Sequence, residues 1–310
     1  MSMEQNGKII VIGGTNASGK SDLAVQIALR LNSKQMRKRF GIEGAEIISA
    51  DSRQVYKGMD IGSGKITKRE MRGIPHNLLS VANPKRVFTV AHFRTLALKE
   101  IKRIWREHKI PILCGGTGFY IDAVIRGTGI PEVKPNAQLR KQLKQKSTEE
   151  LFRILKKMDP KRARTIDSKN PVRLIRAIEI AKALGKVPAP LPAPLTAQVL
   201  FLGVQKDKEE LKKRIVLRLK KRMRQGMLKE IIQLHKKGVS WKRMEELGLE
   251  YRYGARLIRG IITRAEFETL LVREIMAYAR RQITWFKKEP GIIWINTAAE
   301  AMKKVEQFLK

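Results

Sequence analysis

The residues best suited to chemistry lie near the start of the chain, where positions 14–21 read GTNASGKS and match the phosphate-binding pattern GxxxxGK[ST]. The apolar run 8–13 precedes them and the segment 22–29 follows with helical character, so strand, glycine loop and helix occur in the required order. Backbone N–H groups of such a loop converge on phosphate oxygens, Lys20 neutralises charge, and Ser21 can hold a magnesium ion. The motif predicts a di- or triphosphate site without identifying the phosphate compound.

A second group of candidates follows two further predicted strands. Asp51 comes directly after the apolar segment 45–50, at a strand end where parallel α/β sheets gather catalytic groups. It could act as a general base or as a carboxylate that only orients magnesium, and the residues alone leave both open. Gln54 could read the edge of a base, and Thr117 could hydrogen-bond a phosphate or the reacting group. Each of the latter two could equally be an ordinary turn residue.

The composition indicates a polyanionic partner. Lys and Arg number 65 against 29 Asp and Glu, which gives a formal net charge of +36. Such a surface attracts nucleic acid first and an anionic membrane second. A lysine-rich or thermophilic host would also raise the basic count, but it usually raises glutamate as well. A hydrophobic fraction of 43% excludes a disordered chain.

Two basic segments could provide the contact with this partner. Residues 206–227 predict a long helix with an apolar stripe at steps of four and basic residues around it, either a solvated face or a phosphate contact. Residues 280–287, RRQITWFK, mix basic, amide and aromatic side chains as RNA-contacting segments do. Alternatively, Trp285 and Phe286 belong to the core and only the arginines are exposed.

The order of elements predicts an α/β fold, with a P-loop parallel-sheet core, helices on both faces and an all-helical insertion domain. We expect strands at 8–13, 45–50, 110–114, 198–204 and 292–295. Residues 138–184 read as several helices, and Pro188, Pro190, Pro192 and Pro194 then form a stiff connector. We therefore divide the chain into a first core part, 1–128, a helical insertion that contacts RNA, 129–195, and a second core part with basic helices, 196–310.

The single cysteine, Cys114, excludes an internal disulfide and a multi-cysteine zinc site. Its apolar surroundings indicate a buried strand residue. No apolar stretch approaches the length of a membrane span and no secretory signal pattern is present, so we expect a cytoplasmic protein with no membrane partner.

Several sequence blocks together resemble the tRNA dimethylallyltransferase (tRNA isopentenyltransferase) family of the bacterial type. The most specific is EIISADSRQVYKGMDIGSGK at 46–65. The others are GGTNASGKS at 13–21, PHNLL at 75–79, FTVAHF at 88–93, PILCGGTGFYI at 111–121, NPVRLIRAIEI at 170–180 and YARRQITWFK at 278–287. The resemblance covers nearly the whole chain. It implies transfer of a dimethylallyl group from its diphosphate to the exocyclic N6 amine of the adenine 3′-adjacent to the anticodon, with release of diphosphate.

The resemblance also implies roles for individual residues. The donor diphosphate would lie on Asn16, Ala17, Ser18, Gly19, Lys20 and Ser21, with Mg²⁺ near Ser21. Asp51 would be the base that engages the attacking amine, and Thr117 would lie at the reacting centre. The implied tRNA contacts are Asp51, Ser52, Arg53, Gln54, Thr117, Arg140, Arg173, Arg176, Arg280, Arg281, Gln282, Thr284, Trp285 and Lys287. The partners would be the anticodon stem-loop of tRNA and dimethylallyl diphosphate, and we expect a monomer.

The chain departs from the family's sequence pattern in its phosphate loop and at 75–80, and three alternative functions stay open. Asn16 stands where the family usually has threonine, and PHNLLS replaces the usual PHHLID at 75–80. The alternatives are an adenylate isopentenyltransferase acting on a free nucleotide, a P-loop small-molecule kinase, and an RNA-binding protein with a vestigial loop. A mononucleotide needs no extensive basic surface, which argues against the first.

Overall fold

The computed structural model describes residues 7–127, 131, 133–188 and 194–310. In this part of the chain, parallel strands form one six-stranded sheet of order β3-β2-β4-β1-β5-β6. The strands are β1 Gly7–Gly14, β2 Gly44–Ser49, β3 His76–Asn77, β4 Lys109–Gly115, β5 Ala197–Val204 and β6 Ile293–Ile295. The chain leaves the central β1 toward the β4–β2 side of the sheet and returns to β5 on its other side. This reversal of strand order creates a crevice at the carboxyl ends of β1 and β4.

Helices lie between the strands and after the last one. They are α1 Lys20–Leu31, α2 Lys34–Phe40, α3 Lys68–Met71, α4 Val90–Arg106, α5 Gly118–Ile125, α6 Ala137–Leu143, α7 Thr148–Met158, α8 Pro160–Thr165, α9 Pro171–Leu184, α10 Lys208–Arg224, α11 Met227–Lys236, α12 Trp241–Leu247, α13 Leu249–Ile258, α14 Arg264–Phe286 and α15 Ala298–Leu309. Among the described residues, none of these helices is long and apolar enough to cross a membrane.

The two faces of the sheet bury separate apolar clusters. Ile10 and Ile12 of β1 point to one face, where α1 and α15 pack. Ile9 and Val11 point to the other face, where α4, α5 and Phe286 of α14 pack. Strands buried on both faces read as continuous apolar runs, which is why the sequence located them. The predicted α/β class with helices on both faces is confirmed.

A buried carboxylate joins β2 to its neighbours. Glu46 accepts hydrogen bonds from Arg103 of α4 (2.6 Å), Lys109 of β4 (2.8 Å) and Asn77 of β3 (3.1 Å). Burial acts to raise the pKa of Glu46, but these three partners lower it to about 2. The carboxylate is therefore held in its charged form and holds α4, β3 and β4 against β2.

The chain divides into two compact units. The described residues of 1–125 and 195–310 form one, and those of 126–194 form the other. The second unit contains α6 to α9 around its own apolar cluster, which includes Leu151, Leu155 and Leu174. Pro190 and Pro192 of the predicted connector lie outside the described residues.

The structure corrects the prediction of one continuous helix over 206–227. Helix α10 ends at Arg224, Gly226 adopts a left-handed conformation (φ 94°), and α11 begins at Met227. The apolar steps of four continue across this break because both helices pack on the same apolar cluster. The sequence prediction did not include α2, α3, α5, α11, α15 or β3.

Candidate active site

The loop between β1 and α1 is shaped to receive an anion. Ala17 and Gly19 are both left-handed (φ 64° and 96°), and a Cβ on Gly14 would lie 2.5 Å from the carbonyl oxygen of Val204. The hydroxyl oxygens of Thr15 and Ser18 are buried and have no hydrogen-bond partner among the residues that the structure describes. Such unpartnered hydroxyls are costly unless a ligand satisfies them, so the loop has donors ready for phosphate oxygens.

Lys20 supplies the positive charge of this loop. Its Nζ donates to the Thr15 carbonyl oxygen at 3.2 Å. Burial lowers the pKa of Lys20, while Cys114 and Asp51 act to raise it. An anionic ligand beside Lys20 would stabilise the ammonium form in the same way.

Cys114 lies in β4 beneath this loop and is buried, as its apolar surroundings predicted. Burial raises the pKa of the Cys114 thiol to about 11, so the group stays protonated near neutral pH. A neutral, enclosed thiol is a poor nucleophile, which supports a structural role.

Asp51 organises the turn that follows β2. Its Oδ1 accepts hydrogen bonds from the N–H groups of Arg53 (2.8 Å) and Gln54 (3.2 Å). Its Oδ2 has no hydrogen-bond partner among the described residues. The carboxylate is thus held at the strand end with one oxygen available to a ligand.

Thr117 is joined to the same turn. Its Oγ1 accepts a hydrogen bond from the N–H of Ser52 at 3.1 Å, and its own N–H donates to the Ala50 carbonyl oxygen at 3.2 Å. The structure therefore brings together the two residues predicted to be catalytic, although they follow different strands.

The loop and the strand ends line one pocket. Lys20 and Ser21 line one part of it, and Asp51 and Gln54 line another. The remaining lining residues are Ala24, Ile47, Ser49, Ile66, His76, Cys114 and Gly115. A cation, a carboxylate and apolar surface in one small pocket fit a ligand that carries both phosphate and hydrocarbon.

Known proteins share this architecture. A protein-family model described as IPP transferase matches residues 54–289. The tRNA dimethylallyltransferase 2 of Citrifermentans bemidjiense is 40% identical over 312 residues, which cover 99% of this chain and 96% of that protein. The chain belongs to the IPP transferase family.

Solved structures of this family superpose on the protein over its length. A tRNA isopentenylpyrophosphate transferase from Bacillus halodurans matches with a TM-score of 0.71 and 31% identity, covering 97% of this chain and 96% of that one. A eukaryotic dimethylallyltransferase acting on tRNA matches with a TM-score of 0.76 and 25% identity, covering 97% of this chain and 77% of that one.

The turn residues Ser52 to Gln54 also hold protein contacts. The Gln54 amide donates from Nε2 to the Gly64 carbonyl oxygen (3.2 Å), and its Oε1 accepts from the Ser49 hydroxyl (3.3 Å). Arg53 Nε donates to the Leu247 carbonyl oxygen at 2.5 Å. The side chains predicted to contact the target nucleotide are therefore pre-ordered by the surrounding protein.

Helix α14 divides the predicted RNA-contacting segment into two faces. Arg280, Arg281, Thr284 and Lys287 are exposed, whereas Phe286 is buried and Trp285 is half-buried. A Cβ on Gly118 would collide with the Trp285 ring, so this glycine provides the space in which Trp285 packs. Phe286 therefore belongs to the core, whereas the partly exposed Trp285 packs against that core and its RNA contact stays a prediction.

Gln282, one of the predicted RNA contacts, is buried within the protein. Its side chain is 6% exposed, accepts a hydrogen bond from the Asn16 N–H (2.9 Å) and donates to the Gly116 carbonyl oxygen (2.7 Å). Both ends of the amide are used within the protein, because α14 packs directly on the glycine turn. Gln282 therefore clamps the phosphate loop to the turn after β4 and does not face solvent as an RNA contact would.

Three arginines of α10 approach the phosphate loop at steps of four, Arg214, Arg218 and Arg222. A Cβ on Gly19 would lie 3.8 Å from an Arg214 guanidinium nitrogen, and Arg218 and Arg222 line a pocket with Asn16 and Ala17. The sequence left open whether the basic residues of this helix form a solvated face or contact a nucleic-acid backbone. The i, i+4 spacing of these three arginines indicates that they share one face of the helix. That this face lies against the phosphate loop depends on the tertiary fold.

In the second unit, two of the three predicted arginines are already paired. Arg140 and Arg176 both donate to the buried Glu179 carboxylate, at 2.7 Å and 2.6 Å, while Arg173 is exposed. Burial acts to raise the pKa of Glu179, but Arg140, the Asn136 N–H and Arg176 lower it below its usual value. Arg173 is exposed, and Arg140 and Arg176 keep 37% and 32% of their side chains exposed while they pair with Glu179.

The residues at the pocket fit a magnesium ion held mainly by its substrate. Ser21 and Asp51 offer oxygen ligands, the type that Mg²⁺ prefers, and they line the same pocket. Among the described residues, no cluster of three or more His, Cys, Asp or Glu side chains could hold a metal by itself. Phosphate oxygens and water would have to complete the coordination.

Proposed function

We propose that the protein is a tRNA dimethylallyltransferase, which transfers a dimethylallyl group from dimethylallyl diphosphate to the N6 amine of the adenine 3′-adjacent to the anticodon. The observation that carries the proposal is the shared pocket of Lys20 and Asp51 in a member of the IPP transferase family. The pocket joins an anion cradle to a carboxylate that can accept a proton.

The loop would stabilise the leaving group. As the allylic C–O bond breaks, its electron pair leaves with the diphosphate, and negative charge accumulates on those oxygens. Loop N–H groups, the Thr15 and Ser18 hydroxyls and the Lys20 ammonium are preorganised around that charge. Mg²⁺ bound by the Ser21 hydroxyl and the diphosphate would supply further positive charge to the leaving group.

Asp51 would serve as the base. An adenine amine is a weak nucleophile, and it must lose a proton as the N–C bond forms. Oδ1 of Asp51 is fixed by two backbone N–H groups, which leaves Oδ2 for that proton. Thr117, which is hydrogen-bonded to the same turn, would orient the adenine after that nucleobase has left its stack in the tRNA.

The exposed cations support tRNA as the acceptor. Arg280, Arg281 and Lys287 on α14 and Arg173 on α9 are open to solvent, as phosphate contacts require. We propose that the unit 126–194 contributes to tRNA binding. We also propose that the enzyme acts in the cytoplasm. We propose that it acts as a monomer, because one chain supplies both the loop and the strand-end residues.

A transfer assay tests the proposal. Purified protein, Mg²⁺ and labelled dimethylallyl diphosphate should label unmodified tRNA that carries adenine beside the anticodon, with no ATP present. The same tRNA with guanine at that position is the matched control and should remain unlabelled. Labelling of AMP instead of tRNA, or a requirement for ATP, would refute the proposal.

A further inference from the structure

A carboxylate outside the pocket holds the loop that follows the Asp51 turn. The N–H groups of Asp60, Ile61 and Gly62 donate to the Glu230 carboxylate at 2.8, 2.7 and 3.0 Å. Three consecutive N–H groups that converge on one point form a small anion-binding concavity, and the Glu230 side chain of α11 fills it. The loop 59–65 therefore has a charged anchor supplied by a different part of the chain.

Tyr251 of α13 completes the anchor. Its hydroxyl donates to Glu230 Oε1 at 2.9 Å and accepts a hydrogen bond from the N–H of Ser63 at 3.2 Å. Tyr251 is 1% exposed, and a Cβ on Gly62 would lie 2.7 Å from its ring. The loop is thus packed against its anchor with no space to shift toward it.

The carbonyl groups of the same loop connect it to the pocket. The Gly64 carbonyl oxygen accepts a hydrogen bond from Gln54 Nε2 at 3.2 Å, and the Gln54 N–H donates to Asp51 Oδ1 at 3.2 Å. The Gly62 carbonyl oxygen accepts from Arg222, whose guanidinium also pairs with Glu250. Hydrogen bonds and the backbone between them therefore connect Glu230 through the loop to the Gln54 side chain, and the Gln54 backbone N–H is bound to Asp51.

Glu230 itself does not line the pocket that contains Lys20 and Asp51. It lines a separate cleft together with Lys57, Gly58 and Gln233. The Glu230 carboxylate therefore does not contact substrate in the pocket directly.

We propose that Glu230 is a positioning residue for the transfer reaction: it fixes the loop 59–65 so that the Gly64 carbonyl orients the Gln54 amide beside Asp51. This inference rests on the proposed function, because the oriented Gln54 amide would act on the acceptor adenine of the tRNA. The phosphate loop is held separately, by Gln282, so Glu230 should affect use of tRNA and not binding of the diphosphate.

The test compares Glu230→Ala and Glu230→Gln with Gln233→Ala, a control on the exposed face of the same helix. We expect Glu230→Ala to lower kcat/KM for tRNA about 100-fold, as a displacement of about 1 Å in a reacting geometry does. Glu230→Gln keeps the shape and part of the acceptor capacity, so its loss should be about tenfold. KM for dimethylallyl diphosphate should stay within about twofold of wild type in all three variants.

Two further measurements separate positioning from general stability. Hydrogen exchange of the amides of residues 60–63 should be at least about tenfold faster in Glu230→Ala and unchanged in Gln233→Ala. If Glu230 acts through Gln54, the double variant Glu230→Ala/Gln54→Ala should lose no more tRNA activity than Gln54→Ala alone.

Unchanged exchange in Glu230→Ala would overturn the anchor, and wild-type kinetics despite faster exchange would overturn the positioning role. Additive losses in the double variant would overturn the path through Gln54. Absence of tRNA labelling by the wild-type protein would instead refute the proposed function and, with it, the positioning role. The exchange data would still decide whether Glu230 anchors the loop.

Discussion

Gln282 provides the sharpest test of how α14 contributes to the site. Gln282→Ala removes two hydrogen bonds, one to the Asn16 N–H and one to the Gly116 carbonyl oxygen, from a position that is 6% exposed. Each enclosed backbone group left without a partner costs about 1–3 kcal/mol. Allowing for water that enters the vacated space, we expect the free energy of unfolding to fall by about 2–4 kcal/mol.

The same substitution should weaken diphosphate binding more than tRNA binding. The Asn16 N–H belongs to the phosphate loop, so loss of its partner frees the loop to sample conformations that do not match the diphosphate. We expect KM for dimethylallyl diphosphate to rise at least about tenfold, whereas the tRNA dissociation constant stays within about twofold. Urea unfolding gives the stability change, and the transfer assay with each substrate varied gives the two constants.

Arg281→Ala is the matched control, because Arg281 is the next residue and its guanidinium lies over the Tyr278 ring at the surface. It should leave the unfolding free energy within about 0.5 kcal/mol of wild type and weaken tRNA binding. The reverse pattern, in which Gln282→Ala unfolds like wild type with a normal diphosphate KM but loses tRNA affinity, would refute the clamp and favour a direct RNA contact.

Three further outcomes can be measured with the same reagents. Asp51→Ala should lower turnover about 10²- to 10⁴-fold with little change in tRNA affinity; recovery of activity by raised Mg²⁺ would indicate a metal-orienting role instead. Arg173→Ala should reduce the magnitude of the log–log salt slope of tRNA binding by about 0.7–0.9 and leave the free energy of unfolding unchanged. Arg176→Ala removes a partner of the buried Glu179 carboxylate and should therefore destabilise the protein by about 1–3 kcal/mol. Equal effects of the two substitutions on stability would contradict the assigned pairing. The pKa of Glu46 falls from 4.5 in the unfolded chain to about 2 in the folded protein, so its contribution of about 3 kcal/mol to the free energy of unfolding is present above pH 4.5 and is lost as pH falls to about 2. Glu46→Gln should therefore flatten the dependence of the unfolding free energy on pH across that interval. An unchanged pH profile would contradict the charged cluster around Glu46.

The strands and the phosphate loop could be located from the sequence because their signals are local. Residues 9–13 and 110–114 are apolar without interruption, as strands covered on both faces are, and the glycines and Lys20 of the loop have fixed spacing. The end of α10 was missed because the apolar steps of four continue through Gly226 into α11. A periodic pattern reports which face is buried, but it does not report a break when both helices bury the same side.

The sequence by itself determined the chemistry available to this protein: a phosphate loop with Lys20, a carboxylate at Asp51 after a strand, and an excess of cations for a polyanionic partner. The tertiary structure decided which of these groups meet and which side chains serve the protein instead of the substrate. Gln282 and Arg176 have the residue types of RNA contacts, yet one clamps the loop and the other neutralises a buried carboxylate. Residue type and local spacing set what a side chain can do, whereas its partner depends on segments distant in sequence that only the folded chain brings together.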